Sequence, residues 1–432
     1  MPVEASAISG RECLKIATHL HNMGIRFAGS PGEKEAADWI EQRYRQLGLQ
    51  NIWQQEFPCL TYSYGKCEVA VLSHDGWQTI PSEPAAHSPS TPGGTVEGDL
   101  MVVEKIPENA ATAQKMLAGK IGLIYVSELF QLERLKRVMG ARPAGLLAVD
   151  DRFPNEWNVG VGFPRYWIDF LSCPIINVSY RDAWEIVQQG SSRVRLELDA
   201  SVQSAVSQNV IGELPGTDLS DEVIIISAHH DSVLNNPGAD DNGTGVAAVL
   251  ELARAFVDRP HRRTLRFISY GTEEQLSEGA RYYAENAADL DRIQFVLNVD
   301  SIGAIMGQTV IFYAGSPDME KLVRLANETT NFPGHICREL SPFSDHFPLN
   351  VRGIPAVWYY RKTFAGARHY HHSVLETPEV LSPSVLENTV RHQAVLLEEV
   401  SNAQPLPFAN RISDEQMTTL KQMGVEWFGY SK

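Results

Sequence analysis

Long apolar runs are missing from this 432-residue chain. None approaches the roughly 18 consecutive apolar positions that a membrane-crossing helix needs, and the opening MPVEASAISGREC has no basic stretch followed by an apolar one. A cytoplasmic protein without a membrane partner is therefore expected. Cysteine is scarce as well. Cys13, Cys59, Cys67, Cys173 and Cys337 are odd in number and scattered, with no Cys-x-x-Cys pair, which argues against both a disulfide framework and a thiolate zinc site. Positive charge is in deficit: the net charge is −16 and no long block of like charge occurs, so a nucleic-acid-binding face is not expected. What remains is ordinary for a soluble enzyme-sized chain, with 43% hydrophobic and 21% charged residues, and small or peptide substrates suit it better than polyanions.

The length exceeds what one hydrophobic core usually serves, so a main domain with a second or inserted one is expected. Two helices open the chain. Ile16, Leu20 and Met23 mark the first, and Ala37, Ile40, Tyr44 and Leu47 the second, with Ser30 as N-cap, Pro31 at the first helical position, Glu33 completing a capping box and Gly48 past the end. From Cys59 to about Ser204 the pattern changes to short strands, CEVAVLS, DLMVVE, GKIGLIYV, AGLLAVD and CPIINVS, between turn-rich stretches. From Val210 onward β-branched strands alternate with amphipathic helices, the rhythm of an α/β fold whose central sheet is largely parallel and sandwiched by helices. The expected units are residues 1–58, an N-terminal helical part of the main domain; 59–205, an inserted small β-rich domain; 206–403, the main α/β domain; and 404–432, a linker and last helix capped by Ser413 and Gln416. Trp427, Phe428 and Tyr430 are expected to dock that helix on the body or on another subunit.

In open α/β sheets, reactive groups gather beyond the carboxyl ends of the strands. Here the strand VIIIS runs into Ala228-His229-His230-Asp231, TLRFISY into Gly271-Thr272-Glu273-Glu274, and FVLNV into Asp300, while Pro237-Gly238-Ala239-Asp240-Asp241-Asn242 leads into a helix. Carboxylates converging from these ends could not all stay ionised without cations. Two divalent ions bring four positive charges against the three of Asp241, Asp300 and Glu274, leaving room for a hydroxide. Histidine and carboxylate ligands without sulfur suit Zn2+, with Co2+ or Mn2+ as alternatives.

The segments SAHHD, PGADDNGTG, YGTEEQLSEGA, LNVD and HHSVLETPE, in this order and spacing, resemble the M28 family of zinc peptidases. GKIGLIYV with the later GARPAGLLAVD resembles a protease-associated domain, a module often inserted in metallopeptidases. The resemblance implies a dinuclear zinc peptidase of the aminopeptidase type. It assigns His229 and Asp300 to one metal, Glu274 and His372 to the other, and Asp241 to the bridge. Glu273 becomes the general base and Asp231 the carboxylate that orients His229 through its far ring nitrogen.

Around this set lie less specific candidates. Asp345 and His346, from Ser344-Asp345-His346, are candidates for the surroundings of the metals, and Phe343 and Phe347 for shaping a side-chain pocket. His371 occupies a place where some relatives carry a carbonyl-polarising tyrosine, which makes it the candidate oxyanion donor. Arg361, Lys362 and Arg368 could meet a substrate carboxylate, and a carboxypeptidase or dipeptidase is the alternative they carry. A single-zinc glutaminyl cyclase and a non-catalytic binding module are the other readings, and a homo-oligomer is compatible with all of them.

Overall fold

The computed structural model describes residues 8–362 and 369–431. Its centre is a twisted sheet in which four parallel strands, Ala356–Lys362, Ile293–Val299, Leu219–His229 and Arg263–Tyr270, lie side by side in that order. Every residue of Arg263–Tyr270 is buried, as expected of a strand covered on both faces. Beyond Ala356–Lys362 the sheet continues with the antiparallel Gln308–Ala314 and the short His335–Cys337. On the other side Arg193–Leu214 pairs antiparallel to Arg263–Tyr270.

Helices cover both faces. Gly10–Asn22, Pro31–Leu47, Gly243–Phe256, Pro317–Thr330 and Pro383–Asn402 share one continuous core, with Leu20, Ile40, Leu250, Met319, Leu397 and Phe267 among its members. Glu278–Asn286 and His346–Val351 pack the opposite face through Ala280, Tyr283 and Leu349. The second helix begins as the sequence suggests: Ser30 accepts from the Glu33 amide and Gly48 closes the helix in the left-handed conformation. The first buries Cys13, Ala17 and Leu20 rather than a face centred on Ile16 and Met23, which are only partly buried. Small residues are needed there because the helix presses against Gly243–Phe256, where a Cβ on Gly243 would already meet Ala17.

The inserted region is joined by one feature that composition does not reveal. Gln50–Ser73 and Arg193–Leu214 form a single antiparallel ribbon, from Gln50 opposite Glu213 to Val71 opposite Val194, with the register shifting between Gln50 and Trp53 and between Tyr64 and Cys67. Positions 59 and 205 therefore lie mid-strand, paired with each other, and the same two strands run from one body to the other. The ribbon hands on to Val96–Val103, then to the parallel strands Ile121–Tyr125, Gly145–Val149 and Ile175–Val178, with Glu83–Pro84 at the edge. The insert is thus a small α/β layer more than a purely β-rich one, because Ala110–Leu117, Leu132–Gly140 and Tyr180–Gln188 connect its strands and bury Leu117, Leu135 and Ile186 on its two sides. The last helix, Asp414–Phe428, is capped by Ser413, whose hydroxyl accepts from the Gln416 amide. It docks within the same chain: Phe428 stacks on Phe347 and Trp427 on Trp167 of the insert. No described helix is long and apolar enough to cross a membrane.

Candidate active site

The parallel strands end at one edge, and the residues just beyond their ends meet in one place. His229 is the last residue of its strand, Glu273-Glu274 form a single 3-10 turn just past Tyr270, and Asp300 directly succeeds Val299. The turn after Pro237 brings Asp241 into the middle. Gly238 is required there: its φ is +61°, and a Cβ would lie 1.7 Å from the Asp241 carbonyl oxygen. Asn242 then locks the turn to the Asp300 loop, its side chain accepting from the amides of Gly245 (2.8 Å) and Ser301 (3.1 Å) and donating to the Val299 carbonyl (2.9 Å).

The Asp241 carboxylate sits between two histidines. Its Oδ1 is 3.1 Å from His229 Nε2, and its Oδ2 is 3.4 Å from His372 Nε2. Glu274 Oε2 is 3.2 Å from His372 Nε2, whereas Asp300 Oδ1 stands farther out, 3.8 Å from His229 Nε2. Ligand atoms held about 2.0 Å from a tetrahedral ion lie roughly 3.3 Å from one another, so most of these separations are those of donors around a metal. His229, Asp241 and Glu274 converge closely enough to share one ion, as do Asp241, His371 and His372. Both ring nitrogens of His229 and Oε1 of Glu274 are buried without a well-directed hydrogen bond, and burying such atoms is costly unless something else satisfies them. The donor set therefore fits divalent cations. Asp240, the other acid of the pair, is used structurally: Oδ1 accepts from the Gly303 amide and the Thr244 hydroxyl, and Oδ2 from Tyr370.

Electrostatics lead to the same conclusion. Burial disfavours charge on His229, yet Asp231, Asp241 and Asp300 outweigh it and hold the imidazole well above its ordinary range. His372 behaves alike: burial opposes its charge, but Glu274 and Asp241 push it up to about 10. Burial, reinforced by Asp345, Asp300 and Glu274, raises Glu273 well above the usual carboxylate range, and burial with Asp241 nearby raises Glu274. These shifts share one cause, an excess of buried acid that bound cations would offset.

Asp231 does more than face His229 Nδ1 at 3.3 Å. Its two oxygens accept from the amides of Glu273 (2.9 Å) and Glu274 (3.1 Å), so one carboxylate orients the imidazole and both glutamates. Residues on both sides of this turn carry a conformational cost. Of nine non-glycine residues with positive φ among those described, Thr272, Leu276 and Ser277 flank the glutamates, Ser301 comes after Asp300, and His372 is itself the fifth.

Several supporting residues are not singled out by the sequence reading, although Glu376 and Ser344 lie within segments that it marks. Arg26 is fully buried and donates to the carbonyls of Leu20 (2.8 Å), His230 (2.7 Å) and Pro237 (2.5 Å), tying the first helix to the loops that carry His229 and Asp241. Burial lowers its guanidinium to about 10, and it remains a cation facing the acidic cluster. Glu376, inside the HHSVLETPE segment, accepts from the amides of Asp240 (3.1 Å), Asp241 (2.6 Å) and His372 (3.3 Å). Ser344 bridges Asn298 and Asp300, at 2.7 and 2.8 Å. No periodicity or charge pattern reveals what these side chains hold, since their partners lie on loops distant in sequence.

The less specific candidates divide. His371 lines the site with Nδ1 3.1 Å from Asp241 Oδ2 and its ring 3.6 Å from that of His372. Asp345 is fully buried near His229, Asp231 and Asp300, and burial raises it well above the aspartate range. His346 is stacked on Trp358, and burial lowers it to about 3. Phe343 is exposed on the cavity wall. Phe347 does not shape the pocket: it is fully buried against Phe428, because it faces the core side of its short helix. Arg361 binds the Ala304 carbonyl and Thr309, and with Lys362 lines a separate hollow, away from the metal-type cluster; Arg368 lies outside the described residues.

The cluster opens into a cavity of about 490 Å³ between the main body and the insert. Asp241, Glu273, Glu274, Asp300, His371 and His372 form its floor, and Val126, Phe130, Val161 and Phe163 of the insert face them. The insert also touches the cluster directly, the Gly160 carbonyl lying 3.3 Å from His372 Nδ1.

An acidic and imidazole floor at the carboxyl edge of a parallel sheet, under a roof that is apolar apart from Ser127, Asp150, Asp151 and Arg152, fits a metal-dependent hydrolase. Residues 209–397 match the model for peptidase family M28, and the chain is a metallopeptidase. It is 28% identical over 340 residues to aminopeptidase YwaD of Bacillus subtilis (strain 168), covering 77% of this chain and 71% of that protein. Among solved structures, its fold is similar to a peptidase M28 precursor from Shewanella amazonensis SB2B (TM-score 0.79, 21% identity, covering 91% of this chain and 95% of that one). It is also similar in fold to BSAP, a zinc aminopeptidase from Bacillus subtilis (TM-score 0.75, 21% identity, covering 94% and 98%).

Proposed function

We propose that the protein is an aminopeptidase that removes N-terminal residues from peptides, using two Zn2+ ions. His229 with Asp300 and His372 with Glu274 would hold the pair, with Asp241 shared between them. The observation that carries this reading is the Asp241 carboxylate, one oxygen on His229 and the other on His372, with Glu273 facing the same cavity. Bound zinc supplies a Lewis acid for the scissile carbonyl and acidifies water at neutral pH. The chain supplies the rest.

Glu273, in a buried setting that raises its proton affinity, takes the proton of the attacking water and passes it to the leaving amine. Asp231 keeps the main chain of Glu273 and Glu274 fixed while this happens. His371 lines the cavity beside Asp241 and donates to the developing oxyanion; a kinetically normal His371→Ala variant would remove that assignment.

The amino end is favoured over the carboxyl end by the cavity's charges. The arginine lining it among the described residues, Arg152, has its Nε 2.9 and 3.0 Å from the two oxygens of Asp150, which offsets its charge, while Asp151 adds further negative charge suited to an ammonium group. The relative named above as an aminopeptidase and the neighbour named as a zinc aminopeptidase support the same choice. We further read the insert as a protease-associated-type module that roofs the site. The test is hydrolysis of a peptide set with free, acetylated and C-terminally amidated ends: cleavage that needs the free amine and ignores amidation is expected, and dependence on the free carboxylate instead would select the carboxypeptidase reading.

A further inference from the structure

The cavity's apolar walls come from two bodies, and a residue outside the cavity holds them together. Phe130 belongs to the insert and Phe343 to the peptidase body, and both line the cavity. Trp427, near the end of the C-terminal helix, lies between them. Its indole stacks on Trp167 of the insert (4.7 Å between centroids, 19° between planes), meets Phe130 at 6.4 Å, and receives Phe343 edge-on (4.9 Å, 77°). The anchor is doubled, since Trp167 Nε1 donates to the Glu426 carbonyl at 2.9 Å. One residue on, Phe428 stacks on Phe347 in a cluster that includes Leu276, itself a lining residue.

We infer that Trp427 is a positioning residue for specificity: by fixing Phe130 against Phe343 it sets the gap between the two walls, so that the site favours peptides whose N-terminal side chain is large and apolar. The inference rests on the aminopeptidase reading. The physical reasons are local. Phe343 is 45% exposed and has Trp427 as its aromatic contact, so without the indole its rotamers are no longer confined. Phe130 is braced by Phe163 as well (5.9 Å, 21°), so one wall keeps a partner while the other loses its stop. Aromatic pairs of this geometry add to what burial alone contributes, and the fit of a substrate's apolar group changes rates by about ten- to two-hundredfold. The helix lies beyond residues 209–397, so the element that tunes the pocket is not among the residues matched to the family.

The test measures kcat and KM for leucyl, phenylalanyl and alanyl p-nitroanilides with the full chain loaded with zinc. For W427A the leucine-to-alanine ratio of kcat/KM is expected to fall at least about tenfold, through KM for the large residues, and W427F is expected to restore most of it. In a double-mutant cycle, W427A is expected to add little to F343A, because without the Phe343 wall the indole has no ring left to confine. A proportional loss on all three substrates, an unchanged ratio, or additive effects of W427A and F343A would each overturn the role of Trp427. W427F guards against a folding defect in the alanine variant. Wild-type protein assayed alongside separates the two readings: if it cleaves none of the three, the aminopeptidase reading fails and this inference falls with it.

Discussion

Substituting Asp231 by Asn isolates the contribution of a residue assigned to neither metal nor substrate. The carboxylate is fully buried, accepts from the Glu273 and Glu274 amides at 2.9 and 3.1 Å, and faces His229 Nδ1 at 3.3 Å. Asparagine keeps the shape but replaces one accepting oxygen with an NH2 group, which must then point at a donor. One bond to a charged acceptor is lost, about 1.5–3 kcal/mol, and a buried amide is left unpaired at a further cost of about 1–3 kcal/mol. Part of this is relieved by movement of the turn, and groups that orient metal ligands typically change metal affinity or activity by about 10- to 100-fold. D231N should therefore bind zinc about 10- to 100-fold more weakly in a chelator-competition titration. At saturating zinc, kcat should still fall at least about tenfold, because the main chain carrying Glu273 is no longer held. Zinc affinity and kcat both within about threefold of wild type would refute the reasoning.

Two further predictions concern groups that the chemistry does not use directly. Removing the buried guanidinium in R26M takes the Arg26 donor from the carbonyls of His230 and Pro237 and leaves that of Leu20 with the Met23 amide, and is expected to cost about 3–5 kcal/mol in urea unfolding; a loss under about 1 kcal/mol would contradict this. Glu33 is buried, accepts from the Gly29 amide (2.6 Å) and Ser207 (2.7 Å), and burial, with Asp231 nearby, raises it from 4.5 to about 8. An acid raised on folding contributes stability that is complete below its unfolded value and is lost as pH climbs through the folded one. The Tm of wild type relative to E33Q should accordingly decline between about pH 4.5 and pH 8, and parallel Tm curves would show that Glu33 does not titrate in that window.

Much of the floor of the site was legible in the sequence because each member stands where a strand ends. His229 closes its strand, Asp300 lies directly past the next, and Glu273-Glu274 come shortly after Tyr270 ends a third, so strand recognition alone places them together. The roles within a pair were not legible from local pattern. Asp240 and Asp241 are neighbours in one turn, and only the folded positions of Gly303, Thr244 and Tyr370 make the first structural. Glu33 shows the same limit: its spacing from Ser30 reads as a capping box, but its side chain turns to Gly29 and Ser207 instead. The roof was illegible for a different reason. Phe130 and Phe163 are apolar residues in a region with its own core, and nothing distinguishes them from core residues until the 50–73 and 193–214 ribbon brings the insert over the acidic floor. Phe347 is the converse, an apolar residue near the site in sequence that faces inward.

The central claim is a two-metal hydrolase with Glu273 as its base, and elemental analysis of wild type and E273Q beside their kcat on a free-amine peptide tests it most directly. About two zinc ions per chain are predicted in both proteins, with a kcat lower in E273Q by about 10²–10⁴-fold. One zinc per chain with cyclisation of N-terminal glutamine, or an E273Q variant that turns over like wild type, would contradict the claim.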